Sequence, residues 1–386
     1  MKPRILFLDH VGVLGGAELS LLDIAAHFAP EGTAVLFEDG PFRERLEAAG
    51  VSVEILPAPP AFQGVRRGGG RGQDVRSLPG VARLALRVAR RARRYDVLYA
   101  SSQKAFVVAA LAGRLARRPV LWHLHDLLSD AHFSEGHRRL VIRLANRWAA
   151  RVVTNSEASA RAFVEAGGRA DRIAVVYYGI PPAPFLQTPD VAALRRDLGL
   201  GAAPVVGLFS RLAPWKGQHV LLGAIEHLPS VHALLVGGAL FDEDAYAARL
   251  RERAAAPALA GRVHFLGFRD DVAALMHVPD VVVHTSTAPE PFGRVVVEGM
   301  LAGRPVVAAR AGGVPEILDD ERTGLLVDPA DADALARALR RLLDDPEEAA
   351  AMAAAGRAEA LRRFAPARMY EGIEAQLRLV LRGAGR

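Results

Sequence analysis

Short apolar segments alternate with stretches of helical periodicity along the first half of the chain. Segments that are apolar throughout and that alternate with helices are typical of parallel strands covered on both faces. The first half therefore predicts an α/β domain built on a doubly wound sheet. Six strands are expected there: Arg4–Asp9, Val51–Leu56, Asp96–Ala100, Pro119–His123, Arg151–Asn155 and Ile173–Tyr178.

The alternation stops at a proline-rich segment, Gly179–Pro184, and then starts again. A break of this composition is typical of a domain boundary, so we expect a second doubly wound domain after it. Its six predicted strands are Val205–Phe209, His232–Gly237, Arg262–Gly267, Val281–Ser286, Pro305–Ala309 and Gly324–Val327.

These patterns place the first domain at residues 1–183 and the second at residues 184–366. Ligands of doubly wound domains gather at the carboxyl ends of the strands, so two such domains facing each other predict a cleft that holds the active site. The chain then ends in an amphipathic helix, whose apolar positions are Met369, Ile373, Leu377 and Leu381.

The composition excludes several classes of protein. Hydrophobic residues make up 51% of the 386 residues and charged residues 24%, which is typical of globular α/β proteins. The absence of cysteine excludes disulfides, thiolate nucleophiles and cysteine-ligated metals. No apolar run reaches the roughly 18 residues that cross a bilayer, and the first residues do not form a signal peptide. We therefore expect a cytoplasmic protein.

Two glycines, Gly15 and Gly16, follow the first predicted strand and begin a helix. Glycine lets a ligand approach the backbone, and a helix N-terminus favours negative charge, so an anion site is one interpretation. A tight turn between strand and helix is the other. The spacing is not that of a G-x-G-x-x-G motif, which disfavours a dehydrogenase.

Two histidines end the strand that begins at Pro119. Alternation places His123 and His125 on the same face, but no third metal ligand is evident nearby. We interpret His125, beside Asp126, as a polar group that lines the cleft and binds a hydroxyl or accepts a proton. His123 is interpreted as a structural histidine.

Two cations, Arg211 and Lys216, lie on the loop between a predicted strand and a helix of the second domain. This placement predicts a phosphate site; two solvated surface cations are the alternative. Lysine occurs only at Lys2, Lys104 and Lys216, and the other 46 basic residues are arginine. The rarity of lysine suggests that a compact point charge is needed at position 216.

Three carboxylates follow strand ends in the second domain. Glu290 lies on a loop, Glu298 in an otherwise apolar helix, and Glu316 just after a glycine-rich turn. A buried carboxylate is costly unless it accepts hydrogen bonds, and sugar hydroxyls are suitable donors. The alternative for Glu316 is an acid stabilised by a helix dipole. The backbone N–H groups of residues 292–294 are additional donors at a helix N-terminus.

Together, these cations, the Glu290 and Glu298 pair and the segment Gly312–Glu316 resemble the retaining glycosyltransferases of family 4, which have the GT-B fold. The resemblance covers nearly the whole chain. It implies two doubly wound Rossmann-like domains facing across a cleft, with an acceptor-binding first domain and a donor-binding second domain. It also implies that the final helix, residues 367–386, crosses back to the first domain.

The family's site residues can be carried over by position. The resemblance implies that Arg211 and Lys216 hold the donor diphosphate and that Glu298 binds ribose hydroxyls. Glu290 would bind the transferred sugar. The other positions implied to line the donor are Gly15, Gly16, His125, Phe268, Arg269, Phe292, Gly293, Arg294 and Glu316. The family implies no metal and no cofactor beyond the nucleoside-diphosphate-sugar substrate.

Three positions depart from the family pattern. Tyr178 precedes Gly179 and Ile180 where asparagine is commoner, and His284-Thr285-Ser286 replaces the usual Pro-Ser. Arg294 stands where an aliphatic residue is frequent. It either contacts the donor or solvates its loop.

Arginine is concentrated between residues 61 and 100, where ten arginines accompany only Asp74 and Asp96. Arg83, Arg87, Arg90, Arg91 and Arg94 form a stripe beside an apolar helical face. Such a stripe binds an anionic membrane or an anionic acceptor, or is simply solvated. Few aromatic residues interleave with the cations, which disfavours nucleic acid. The remaining arginines of the stretch are 66, 67, 71, 76 and 93.

These observations predict an enzyme that transfers a hexosyl or N-acetylhexosaminyl group from a nucleotide sugar to a hydroxyl acceptor, such as a glycan, a lipid-linked molecule or a natural product. The alternatives are a sugar-nucleotide epimerase or a phosphorylase with the same two-domain plan, and a non-enzymatic protein that binds membranes or nucleic acid. A pyridoxal-dependent phosphorylase would need a Schiff-base lysine, for which only Lys216 is placed.

Overall fold

The computed structural model describes residues 2–59, 71–130, 133–240 and 243–384, with the backbone alone at 71–78 and 384. The chain divides into two compact units. One comprises Met1–Gly179 with Pro366–Arg386, and the other Ile180–Ala365. The border lies slightly before the predicted 183/184 boundary because the proline-rich segment packs with the second unit. There Ile180 N donates to the carbonyl oxygen of Phe364 at 2.9 Å.

The first unit is a seven-stranded parallel sheet with the order β3-β2-β1-β4-β5-β6-β7. Its strands are β1 (Ile5–Asp9), β2 (Gly32–Leu36), β3 (Ser52–Ile55), β4 (Val97–Ala100), β5 (Val120–Leu124), β6 (Ala149–Thr154) and β7 (Ile173–Val175). Its first helices are α1 (Gly16–His27), α2 (Pro41–Ala48), α3 (Arg71–Ala92), α4 (Gln103–Ala116), α5 (Glu135–Trp148) and α6 (Glu157–Glu165).

The second unit is a six-stranded parallel sheet with the order β10-β9-β8-β11-β12-β13. Its strands are β8 (Val205–Phe209), β9 (His232–Val236), β10 (Val263–Gly267), β11 (Val281–His284), β12 (Val306–Ala309) and β13 (Leu325–Val327). Its helices are α7 (Ala183–Leu186), α8 (Val191–Asp197), α9 (Gln218–Glu226), α10 (Asp244–Ala254), α11 (Val272–Leu275), α12 (Arg294–Leu301), α13 (Ala332–Asp344) and α14 (Pro346–Arg363).

The final helix, α15 (Pro366–Ala384), packs on the first sheet. Met369, Ile373 and Leu377 are buried in the same core cluster as residues of β1 and α1. Val380 completes this apolar stripe, whereas the predicted Leu381 is only partly buried. The helix thus covers one face of the sheet, and α3, α4 and α5 cover the other face.

All twelve predicted strands are present, and the doubly wound α/β class is confirmed for each unit. The strand β2 was not predicted; it pairs with β1 on one side and with β3 on the other. Its first two residues are Gly32 and Thr33, so the apolar run is too short to stand out from the flanking helices. The predicted cleft between the domains stays a prediction.

The arginine-rich stretch lies partly within α3. The face formed by Val81, Leu84, Ala85, Val88 and Ala92 is buried, as predicted. Arg83, Arg90 and Arg94 are exposed, and Arg91 donates from Nε to Glu54 Oε1 at 2.6 Å. Arg66 and Arg67 lie outside the described residues, as do the side chains of Arg71 and Arg76. In the described ranges, no helix combines the length and the apolar character needed to cross a bilayer.

Candidate active site

The loop after β8 presents Arg211. Gln218, which is fully buried at the start of α9, donates from Nε2 to Ser210 Oγ and to the carbonyl oxygen of Arg211, both at 2.9 Å. Arg211 Nη1 in turn donates to Glu243 Oε2 at 2.5 Å. The backbone of Arg211 is therefore anchored by Gln218, and its guanidinium is held by Glu243.

The same loop continues into a 3₁₀ turn, Pro214–Lys216, that presents the second predicted cation. Gly217 has a φ of +72°, and a Cβ there would lie 1.9 Å from the carbonyl oxygen of Thr285, so only glycine fits. Thr285 Oγ1 donates to the carbonyl oxygen of Lys216 at 2.9 Å. Lys216 Nζ lies 4.2 Å from the centre of the Trp215 ring and donates to Glu290 Oε1 at 2.6 Å.

Glu290 is the centre of a polar cluster. Its Oε2 accepts a hydrogen bond from Ser286 Oγ at 2.8 Å and lies 2.7 Å from His284 Nε2. Burial by itself would raise the pKa of this carboxyl, but the Lys216 ammonium and the His284 ring together hold the pKa well below its usual range. Glu290 is therefore a carboxylate at neutral pH.

The predicted glycine-rich segment holds Glu290 in place. Gly313 N donates to the carbonyl oxygen of Glu290 at 2.8 Å. Gly312 has a φ of +63°, and a Cβ there would lie 2.1 Å from the same oxygen. These contacts explain why glycines occur at this point of the sequence. Glu316 is half-buried in the following 3₁₀ turn, Val314–Glu316.

Glu298 lies in α12 and forms a second pair, separate from that of Glu290. Arg294 Nε donates to Glu298 Oε1 at 3.3 Å, and the two side chains are 13% and 15% exposed. The interpretation of Arg294 as a residue that solvates its loop is therefore wrong. Arg294 Nη1 is buried without a hydrogen-bond partner among the described residues.

Residues before α12 shape the approach to it. Gly293 caps the helix with a φ of 107°, and the buried Phe292 packs edge-on against Phe364 with ring centres 5.6 Å apart. At the end of β10, Phe268 is 73% exposed and Arg269 forms an ion pair with Asp271. An exposed aromatic ring at a strand end is well suited to stack on a base.

The predicted residues of the second unit thus follow the carboxyl ends of β8, β10, β11 and β12, which are neighbours or near neighbours in one parallel sheet. Lys216 and Glu290 are in direct contact, and Arg294 and Glu298 form another pair. Sequence reasoning missed Glu243 and Gln218. Glu243 lies at the helix start that follows β9, and Gln218 at the helix start that follows β8. Ligand-binding residues gather after strand ends, and this rule, which placed Arg211, would also have found these two residues.

In the first unit, Gly15 is the N-cap of α1 and Gly16 is its first residue; both are exposed. The half-buried Glu18 lies in the first turn of this helix. Burial and the nearby Asp9 carboxylate raise the pKa of Glu18 to about 8. Asp9 is fully buried, and its Oδ2 has no hydrogen-bond partner in the described part of the chain.

His125 follows β5 at the same edge of this sheet. Its Nε2 lies 2.9 Å from Ser101 Oγ and its Nδ1 lies 2.5 Å from the hydroxyl of Tyr178, the residue that departs from the family pattern. Burial lowers the pKa of His125 to about 4, although Asp9 and Asp126 act in the opposite direction. The ring is therefore neutral at pH 7. His123 is fully buried, with its Nδ1 2.6 Å from the hydroxyl of Tyr99.

Within the residues that the structure describes, no three histidine, aspartate or glutamate side chains are grouped to hold a metal ion. The expectation of a metal-independent enzyme stays a prediction.

Two family models match the chain. The model for glycosyl transferases group 1 matches residues 191–359, and the model for a glycosyl transferase 4-like domain matches residues 15–179. The two matches fall on the second and the first unit, respectively.

Solved structures match over the full length. HepE of Anabaena, crystallised with UDP and glucose, is 43% identical to this chain with a TM-score of 0.90, and the match covers 98% of this chain and 100% of HepE. A second structure of HepE contains UDP-glucose and is 42% identical. A glycosyltransferase of Rickettsia africae, with a TM-score of 0.81 at 19% identity, shares the fold.

Curated relatives match over shorter segments. A GDP-mannose-dependent alpha-(1-6)-phosphatidylinositol monomannoside mannosyltransferase of Mycolicibacterium smegmatis is 36% identical over 196 residues, 47% of this chain and 50% of that protein. A D-inositol 3-phosphate glycosyltransferase of Acidothermus cellulolyticus is 34% identical over 270 residues, 65% of this chain and 60% of that protein. The chain thus spans half to three fifths of the length of these relatives.

Proposed function

Because the chain belongs to the family 4 type of glycosyltransferases with the GT-B fold, we propose that it transfers a sugar from a nucleoside diphosphate sugar to a hydroxyl group of an acceptor. The observation that carries this proposal is the contact between Lys216 and Glu290 beside Arg211, at the carboxyl edge of the second sheet. It combines cations for a diphosphate with an ionised carboxylate for sugar hydroxyls. HepE, crystallised with UDP-glucose, supports a donor of this class.

Lys216 and Arg211 are assigned to the diphosphate. An ammonium has three donors, and Glu290 takes one of them, so Lys216 keeps two for phosphate oxygens. Negative charge develops on the diphosphate as it leaves, and cations that are already in place stabilise it without reorganisation. The Trp215 ring and the Glu290 carboxylate fix the ammonium before the donor arrives.

Glu290 and Glu298 are assigned to hydroxyl groups. Glu290 is held as a carboxylate, and it accepts hydrogen bonds from the transferred sugar, with the backbone N–H groups of residues 292–294 as neighbouring donors. Glu298 accepts from the ribose. Arg294 holds it by a single bond of 3.3 Å, so ribose hydroxyls compete for its oxygens.

The first unit is assigned to the acceptor. His125 is a neutral hydrogen-bonding group there and not a permanent cation. In the proposed retaining reaction, the acceptor oxygen forms a bond to the anomeric carbon on the face from which the diphosphate departs. The bond from that carbon to the phosphate oxygen breaks, and the acceptor proton passes to this oxygen. We also propose that the protein lies in the cytoplasm and contacts an anionic membrane through residues 61–100.

Incubation with UDP-glucose or GDP-mannose tests this function. We expect release of UDP or GDP together with a glycosylated product when acceptors from a panel are added, including inositol phosphate, phosphatidylinositol and lipopolysaccharide core. Conversion of the donor to its epimer without an acceptor would instead identify a sugar-nucleotide epimerase. A chain that neither binds nor consumes any nucleotide sugar would refute the proposal.

A further inference from the structure

His284 lies beside Glu290, and the reaction outlined above assigns it no role. Its side chain is 3% exposed at the end of β11, and its Nε2 lies 2.7 Å from Glu290 Oε2. Its Nδ1 is buried and has no hydrogen-bond partner among the described residues. A buried lone pair costs less than a buried N–H without an acceptor, so the ring carries its proton on Nε2 and donates it to Glu290.

We infer that His284 is a positioning residue that fixes the Glu290 carboxylate for the transferred sugar; this inference rests on the proposed function. Lys216 alone would hold one oxygen and leave the carboxylate free to rotate about that contact. His284 and Ser286 hold the other oxygen, so the rotamer entropy of Glu290 is lost before the donor binds. Oε2 accepts from two donors and Oε1 from Lys216 alone, so Oε1 keeps a lone pair for a sugar hydroxyl.

Two substitutions in the full chain separate this role from simple packing. In His284→Gln, the side-chain amide has an N–H donor near the position of Nε2, whereas His284→Leu fills the space without a donor. The readouts are the affinities for UDP and for UDP-glucose, kcat and KM with UDP-glucose, and the pH dependence of kcat/KM.

We expect His284→Leu to lose about tenfold in kcat/KM, equivalent to one charge-assisted hydrogen bond. It should retain UDP affinity and lose the additional affinity that glucose provides. The Glu290 pKa rises when a donor is lost. As the pH is lowered, kcat/KM of His284→Leu should therefore begin to fall at a higher pH than that of the wild type. His284→Gln should recover most of these losses.

Equal UDP-glucose affinity and equal pH profiles in His284→Leu and the wild type would overturn the inference, as would equal impairment of both variants. If the wild type binds UDP-glucose but transfers no sugar, the proposed function fails. The role of His284 is then still tested by how much more tightly UDP-glucose binds than UDP in the wild type and in His284→Leu. If it binds neither, both fail.

A separate feature of the first unit lies at the opposite edge of its sheet, before the amino ends of β5 and β6. A cavity of about 570 Å³ opens there, and no aspartate or glutamate is among the described residues that line it. Leu379, 50% exposed, lies on its wall. Six arginines line the cavity: Arg114, Arg117, Arg118, Arg147, Arg151 and Arg172.

Structure explains three of these six arginines. Each of these three donates to a backbone carbonyl oxygen. Arg118 donates to Arg93 at 3.0 Å, Arg151 to Asp171 at 2.9 Å, and Arg172 to Ala149 at 2.7 Å. The side chains of the other three have no hydrogen bond or ion pair within the described ranges, and all three are exposed: Arg114, Arg117 and Arg147. Arg117 also adopts a φ of 55° at the end of α4, which an arginine adopts at a cost.

We propose that this cavity binds a phosphate-bearing anion at a site separate from the donor site. Clustered guanidinium groups without carboxylates repel one another, and a phosphate removes this repulsion while it accepts paired N–H bonds. The phosphate belongs either to a lipid headgroup or to a soluble molecule. The exposed Leu379 beside the arginines suits the first source, since it can contact acyl chains.

The test uses the triple variant Arg114→Ala/Arg117→Ala/Arg147→Ala. The matched control is Arg196→Ala/Arg249→Ala/Arg337→Ala, which removes three exposed arginines of the second unit. Vesicles of phosphatidylcholine with and without phosphatidylglycerol test the lipid source. Pyrophosphate, added with saturating UDP to fill the donor site, tests the soluble source. We expect salt-sensitive binding of at least one probe, which the cavity variant loses and the control retains. The proposal is overturned if the wild type binds neither probe, or if the cavity variant loses no more binding than the control does.

Discussion

Lys216 supplies a compact charge in a chain whose other basic residues are almost all arginine. Its ammonium contacts Glu290 and faces the Trp215 ring. In Lys216→Ala, we expect kcat with UDP-glucose to fall by about 100-fold or more, because a preorganised cation at the leaving group is lost. Glu290 keeps the donors His284 and Ser286, so the free energy of unfolding should fall by only about 1–2 kcal/mol.

Steady-state kinetics and urea unfolding of the same preparation compare the two losses. Lys216→Arg is the control, because it keeps the charge but replaces a point donor with a planar fork, and it should retain an intermediate rate. Near-normal transfer by Lys216→Ala would remove the role assigned to the ammonium.

His125 predicts a pH dependence of stability. Its folded-state pKa is lowered to about 4, below the value of about 6.5 in an unfolded chain. The unfolded state therefore gains a proton before the folded state as pH falls from 6.5 towards 4, and stability is lost in this window. His125→Gln does not titrate there. From pH 7 to pH 5 it should lose about 1–2 kcal/mol less stability than the wild type, as urea unfolding at the two values measures. Parallel losses in both proteins would show that His125 takes up its proton in the folded state.

Among the elements, the final helix α15 is the clearest case of a distant segment that completes a core. Ile373 is fully buried against the first sheet, whereas Leu379 on the same helix is 50% exposed. We expect Ile373→Ala to lower the free energy of unfolding by about 2–4 kcal/mol, because it leaves a cavity in a packed core. Leu379→Ala, the matched control, should change it by less than about 0.5 kcal/mol. Similar effects of both substitutions in thermal or urea unfolding would contradict this packing.

The elements also show what sequence patterns predict well. Every predicted strand is present because a strand buried on both faces must be apolar throughout. The pattern failed at β2, where Gly32 and Thr33 shorten the apolar run. Lys216 and Glu290 were predicted as site residues because each follows a strand end. The contact between them was not predicted, because 74 positions separate them and only the strand order brings them together. The role of His284 was missed for a different reason: it lies only six positions before Glu290, and its contact depends on how the loop between them folds.

At the scale of the whole molecule, the two units should respond differently to ligands. The predicted diphosphate and ribose contacts lie in the second unit, so UDP should stabilise that unit by binding only its folded state. At a concentration of 100 times Kd, this linkage amounts to about 2.7 kcal/mol. We expect hydrogen exchange with UDP to slow in the loops after β8, β11 and β12. If Gly15 and Gly16 also contact the donor, as predicted from the sequence, the start of α1 should gain protection too. Lys216→Ala should lose all of these effects at the same UDP concentration. Protection confined to the first unit would place the nucleotide on the wrong sheet and refute the division of roles.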